Sequence, residues 1–151
     1  MMKHVDWNNS DTIVELGAGL GCFTSQIQKL KSPTSKALIF ELDPGMRSHL
    51  QEKFSDFHYY SDATTLSLAM REHGLTQVDC IVSGLPFSNF SNELRERIID
   101  QVIESLKPGG VFITFQYSLQ MKKYLTSIFN EVHISLVPLN VPPAFVYCCR
   151  K

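Results

Sequence analysis

The residues with the clearest chemical potential are the smallest ones. In VELGAGLGC, residues 14 to 22, Gly17, Gly19 and Gly21 follow directly behind an apolar run. Glycines packed this closely let a ligand approach the main chain and let the chain adopt positive φ. With a strand before them and a helix after, they would aim bare N–H groups at a polar ligand group. Tight strand-to-helix packing is the competing explanation.

The identity of that ligand turns on the neighbours. The spacing is G-x-G-x-G, and Cys22 stands where a dinucleotide fingerprint has its third glycine. Glu15 lies just ahead of the loop. A carboxylate there attracts an ammonium and repels a pyrophosphate, which favours S-adenosylmethionine over NAD. Ala18 belongs to the same loop. About twenty residues on, Glu41 can accept hydrogen bonds from ribose hydroxyls, with Leu42 beside it. Asp43 is the rival, but Pro44 after it suits a turn and a helix cap, so Glu41 is preferred. In SDAT, Asp62 can receive an adenine amino group while Ala63 offers a backbone N–H; a simple helix cap is the alternative reading of Asp62.

A second cluster, IVSGLPF at 81 to 87, is assigned the reaction itself. Gly84 allows close approach, and Pro86 fixes φ and removes a donor, so the turn should expose carbonyls able to hold an amine. Ser83 is grouped with the cofactor residues, and Gly84, Leu85, Pro86 and Phe87 with the acceptor. Phe87 is expected to wall the nitrogen that becomes positive on methylation. Methyl transfer from a sulfonium needs alignment more than a strong base, so the lack of an evident base does not exclude an enzyme. An ordinary proline-terminated strand is the alternative.

These residues need a scaffold that collects strand ends. Strands are expected at 12 to 16, 37 to 42, 57 to 61, 79 to 83, 111 to 117, 131 to 137 and 144 to 150. Helical stripes separate them: Phe23, Ile27 and Leu30; Met46, Leu50 and Phe54; Leu94, Ile98 and Val102; then Met121, Leu125 and Ile128 within 119 to 129. The third helix should stop at Lys107, before Pro108, Gly109 and Gly110. Seven strands, five crossovers and a closing antiparallel hairpin imply an α/β fold: a doubly wound, Rossmann-like sheet, mostly parallel, in one domain over 1–151. The glycine loop would then lie where the strand order reverses.

Composition narrows the classes. A chain of 151 residues that is 44% hydrophobic can bury a core. Its net charge of −1 gives no overall field for a phosphate polymer. No apolar run approaches the ~20 residues of a membrane span, and the start lacks a secretory signal, so a soluble, cytoplasmic protein is expected. Cys22, Cys80, Cys148 and Cys149 lack metal-binding spacing and read as reduced, packed thiols. The five scattered histidines suggest no metal site.

VELGAGLGCFT, FELDP, SDAT, SGLPF and LKPGGVFITFQYS, in this order, resemble class I S-adenosylmethionine-dependent methyltransferases. SGLPF with the closing VPLNVPPAFVYCCRK is similar to bacterial phospholipid N-methyltransferases, which act on phosphatidylethanolamine or related aminolipids. The resemblance implies that Glu15, Gly17, Gly19 and Gly21 line the methionine end of the cofactor, that Glu41 holds the ribose and that Asp62 lies by the adenine. It also turns residues 84 to 87 toward the reacting amine. A more distant resemblance is to ribosomal RNA adenine N6-dimethyltransferases; Gly84 stands where they have an asparagine, and neither the C-terminal helical domain nor the basic surface that suits an RNA partner is expected here. Members of the phospholipid N-methyltransferase family usually carry an N-terminal segment with a covering helix ahead of the loop, so a trimmed form with weak cofactor binding and slow turnover is expected.

The acceptor is therefore expected to be an aminolipid, with an RNA base, a small soluble amine or a non-catalytic cofactor-binding role as rivals. Lys122 and Lys123 could meet anionic headgroups at the inner membrane face, or form a solvated helix face. Tyr117 could line the pocket or pack an edge. No obligate protein partner is inferred.

Overall fold

The computed structural model describes residues 5–138 and 142–151. The four residues before Val5 lie outside them, as does part of the expected proline-containing connection, at 139–141. The chain runs β1 (Thr12–Leu16), α1 (Cys22–Leu30), β2 (Lys36–Phe40), α2 (Pro44–Lys53), β3 (His58–Tyr60), α3 (Leu66–Glu72), β4 (Val78–Ser83) and α4 (Asn92–Ser105). It closes with β5 (Leu106–Gln116), α5 (Met121–Ile128), β6 (Glu131–Val137) and β7 (Ala144–Arg150).

All seven strands form one sheet in the order β3-β2-β1-β4-β5-β7-β6. The pairs from β3 to β5 are parallel, and β7 is antiparallel to both β5 and β6. The order reverses between β1 and β4, where ligands of such sheets sit at the carboxyl ends of the strands. This is the expected doubly wound architecture. The fifth crossover leads from β5 through α5 to β6, which runs along β5 but on the far side of β7.

Every residue of β1 is buried, as a central strand covered on both faces requires. Its alternate side chains divide the core. Val14 and Leu16 join Leu66, Ile98 and Phe112 on one face, while Ile13 joins Ile27, Leu50 and Val82 on the other. Glu15 faces the second side with Ile13.

The amino ends of the central strands are held by Asp79. Its Oδ2 accepts from Asp11 N at 3.0 Å, Thr12 N at 2.9 Å and Thr12 Oγ1 at 2.9 Å, and Lys107 Nζ reaches Oδ1 at 2.6 Å. Partial burial raises this carboxyl's pKa, but Lys107 and Thr12 outweigh it and hold the group below its ordinary value of 3.8. The stabilisation is therefore present above that ordinary value and is lost as pH falls through the depressed one. Asp79→Ala is expected to cost about 1–3 kcal/mol, measured by urea unfolding at pH 7.

Several boundaries differ from expectation. α4 stops at Ser105, and β5 begins at Leu106 and runs through Pro108, Gly109 and Gly110. The register against β4 shifts between Val78 and Cys80, and Gly109 and Gly110 bond to Lys151, so the glycines form an irregularity inside the ladder. β2 ends at Phe40, leaving Glu41 just past the strand. α3 has no counterpart among the expected helices, although Leu66, Ala69 and Met70 are its buried stripe. A helix of this length gives a weak periodic signal.

Candidate functional site

The loop at 17 to 21 and the turn at 83 to 87 meet because the central strands deliver both to one sheet end. Gly84 N donates to Leu16 O at 2.9 Å, and Gly17 N donates to Phe40 O at 2.8 Å. The approach is close enough to require glycine on each side. A Cβ on Gly84 would stand 2.7 Å from Gly17 O, and one on Gly17, where φ is +74°, would stand 2.6 Å from Leu85 Cδ2.

Two clefts open on either side of this contact and share Gly17. The smaller, of roughly 180 Å³, is lined by Phe40, Glu41, Leu42, Asp62, Ala63 and Leu85 among others, with Phe90 and Leu94 also in its lining. The larger, of roughly 720 Å³, lies between Ala18, Phe23, Gly84, Pro86, Gln116 and Tyr117. Phe23 meets Phe115 edge-on at 6.4 Å, and Phe115 meets Tyr117 at 5.3 Å, which gives that cleft an aromatic wall.

Glu41 ties the smaller cleft to the glycine loop. Its Oε2 accepts from Gly19 N at 2.7 Å and its Oε1 from Asp43 N at 2.9 Å. A carboxylate has about four lone-pair sites, so it keeps capacity for hydroxyl donors. Asp43 is occupied elsewhere, capping α2 by accepting from Met46 N at 2.8 Å. Asp62 takes the expected cap, its Oδ1 accepting from Thr64 N at 2.8 Å at a short 3-10 turn, and it also lines the smaller cleft. Gly21 precedes α1 with φ +85°.

Other residues sit where the sequence did not place them. Glu15 is wholly buried under the loop, outside either cleft lining, with Oε2 accepting from Thr24 Oγ1 at 2.7 Å and Oε1 without a partner. Burial pushes its pKa from 4.5 up to about 7, against the Thr24 hydrogen bonds and with a small contribution from Glu41. Any pull on an ammonium therefore acts through the loop, not by open contact. Ser83 is likewise fully buried, its Oγ accepting from Leu85 N at 3.2 Å, so it braces the turn from behind.

Phe87 corrects the expected acceptor wall. Its exposure is 0%, and its ring packs edge-on against Phe90 at 5.9 Å and Phe112 at 6.3 Å. An apolar ring one residue past a proline turn is swept into the core by the 3-10 turn Phe87–Asn89. Phe87→Ala is expected to cost about 3–5 kcal/mol in urea unfolding, the signature of a core residue. The expected free carbonyls are also partly used. Leu85 O accepts from Phe87 N at 2.9 Å and Gln116 Nε2 at 2.8 Å, and Pro86 O accepts from Asn89 N at 2.9 Å.

Thr24, Phe90 and Gln116 were missed in the sequence. Thr24 carried a signal, one turn into the helix after the loop; Gln116 carried none, since its partner Leu85 is 31 positions away. No group of three or more His, Cys, Asp or Glu among the described residues could hold a metal.

The residues fit S-adenosylmethionine on three observations. Glu41 offers a carboxylate in the smaller cleft, bonded to the loop, Glu15 leaves a buried oxygen unpartnered, and the Cβ position of Gly19 meets nothing within 4 Å. Comparison with known proteins agrees. Residues 13–110 match the family described as a methyltransferase domain. An ornithine lipid N-methyltransferase from Singulisphaera acidiphila is 31% identical over 157 residues, covering 99% of this chain and 80% of that protein. The N-methyltransferase NodS from Bradyrhizobium japonicum, solved with S-adenosyl-L-homocysteine, superposes with a TM-score of 0.75 at 15% identity, over 94% of this chain and 78% of that one. An rRNA methylase from Streptococcus thermophilus gives 0.68 at 15% identity, over 94% and 87%. At such identities the two structures speak for the fold alone. The chain belongs to the methyltransferase domain family and is an S-adenosylmethionine-dependent methyltransferase.

Proposed function

We propose that the chain methylates the amine of an aminolipid, such as phosphatidylethanolamine or an ornithine lipid. The observation that carries this reading is the apolar mouth of the larger cleft. Leu20 and Tyr117 line it while 76% and 58% exposed, a poor arrangement for a small soluble amine and a good one for a headgroup still attached to acyl chains. The relative from Singulisphaera acidiphila, named for a lipid amine, supports the same class.

When bound, the cofactor supplies a methyl group on a sulfonium. Gly17, Ala18 and Gly19 would cradle its aminoacyl end, Glu41 its ribose, and Asp62 and Ala63 its adenine. Gly84 and Pro86 would border the acceptor, while Leu85, expected beside them, lines the smaller cleft instead. The cleft lining holds no carboxylate or imidazole among the described residues, so the chain's contribution is alignment and exclusion of water by Phe23, Phe115 and Leu20. Lys122 and Lys123 on α5 lie beside exposed Leu119 and would meet anionic headgroups at a membrane surface. No helix among the described residues is long and apolar enough to cross a membrane.

Incubation with methyl-labelled S-adenosylmethionine and either aminolipid vesicles or ribosomal RNA tests the proposal. Label should enter the lipid fraction. Label in RNA, or in neither despite measurable cofactor binding, would overturn it.

A further inference from the structure

We infer that Gln116 positions the acceptor amine by accepting one of its N–H bonds, an inference that rests on the amine-methylating reading above. Gln116 closes β5 at the edge of the larger cleft and is only 2% exposed. The orientation of its carboxamide is set by chemistry. Leu85 O can only accept, so the atom 2.8 Å from it must be Nε2. The second Nε2 hydrogen reaches Thr114 Oγ1 at 3.0 Å. Both donors are thus spent within the protein.

The carboxamide oxygen has no such partner. It accepts no hydrogen bond from the described residues, and it is not among the fully enclosed polar atoms left unsatisfied. It is therefore a rigidly held acceptor at the cleft wall, needing a donor once water is displaced. Its neighbours there, Gly84, Pro86, Phe115 and Tyr117, include no charged group. A neutral primary or secondary amine meets this need. One N–H points at Gln116 Oε1, which turns the nitrogen lone pair toward the cofactor side of the cleft. That lone pair forms the new C–N bond as the methyl C–S bond breaks, with the C–S electron pair leaving on sulfur. The resulting ammonium then loses a proton to water. Because Nε2 grips Leu85 at the same time, the acceptor atom is locked to the turn that contacts Gly17.

A tertiary amine separates this role from mere support of the turn, since in its neutral form it has no N–H to offer. The test compares wild type with Gln116→Met, a near-isosteric variant, on vesicles carrying the primary amine lipid or its dimethylated form at pH 9. Gln116→Met should slow the primary amine about 100-fold and the dimethyl lipid far less, mostly in kcat. Calorimetry should find S-adenosylmethionine affinity within about twofold of wild type. With S-adenosylhomocysteine present, binding of the primary amine should weaken and that of the dimethyl lipid should not. Equal loss on both lipids, or no loss, would overturn the inference while leaving lipid methylation standing. Failure of the wild type on both lipids would overturn the amine reading and this inference with it.

Discussion

Gly84→Ala is expected to lower S-adenosylmethionine affinity by about 100-fold, the equivalent of about 2.8 kcal/mol of strain released against binding. Gly84 is not in a positive-φ conformation, so sterics alone decide the outcome. The added Cβ would lie 2.7 Å from Gly17 O, well inside contact distance. Neither side can yield cheaply. Gly17 N and Ala18 N both donate to Phe40 O, at 2.8 and 3.1 Å, which fixes that carbonyl from behind. On the other side, Leu16 O holds Gly84 N at 2.9 Å. Relief requires the glycine loop and the turn at 83 to 87 to part, which opens both clefts at their shared residue. Overpacking of this kind costs about 1–3 kcal/mol in stability, so folding should survive. Calorimetry and urea unfolding of the same sample measure the two effects. Gly45→Ala, whose Cβ meets only Asp43 Oδ1 at 3.2 Å, serves as the control and should keep affinity within about twofold.

Glu15→Gln is expected to make the unliganded protein more stable at pH 8 and a poorer binder of the cofactor. With its pKa raised to about 7, folded Glu15 holds a proton that the unfolded chain releases near 4.5. The folded state therefore binds more protons across that window, and wild-type stability falls as pH rises through it. The accumulated loss is on the order of 3 kcal/mol by pH 8, at about 1.36 kcal/mol per unit. Glutamine has almost the same shape and can still accept from Thr24, but it does not ionise. The variant's unfolding free energy should stay flat between pH 5 and 8 while that of wild type declines. Cofactor affinity should show the opposite pattern. An ammonium placed above the loop favours the ionised carboxylate, so wild-type affinity should rise with pH through 7, and the variant should bind about tenfold more weakly at pH 8. Parallel pH curves for the two proteins would show that Glu15 is only a packing element.

The sheet could be read from the chain because its signals are local. TIVEL, DCIVS and VFITF are covered on both faces, and their runs of consecutive apolar residues, such as Ile13-Val14 and Cys80-Ile81-Val82, declare it. The glycines declare a loop whatever surrounds them. Local signals failed where length or long-range pairing took over. The stripe Leu66, Ala69 and Met70 was too short to stand out, and the PGG after Lys107 looked like a turn because the bonds from Gly109 and Gly110 to Lys151 join distant segments. The site divides in the same way. Asp43 could be read as a cap because proline follows it, and Asp43 does cap α2.

The amino-acid order by itself determined the seven-stranded architecture, the cofactor class and the two segments that meet over the sheet, since periodicity and glycine spacing are properties of neighbours in sequence. Only the tertiary structure decided which side chains face the clefts. Phe87 turned into the core, Glu15 sank beneath the loop, and Gln116 arrived against Leu85 from another strand. Burial and hydrogen bonding depend on what the fold brings alongside, and no residue carries that information in its own neighbourhood.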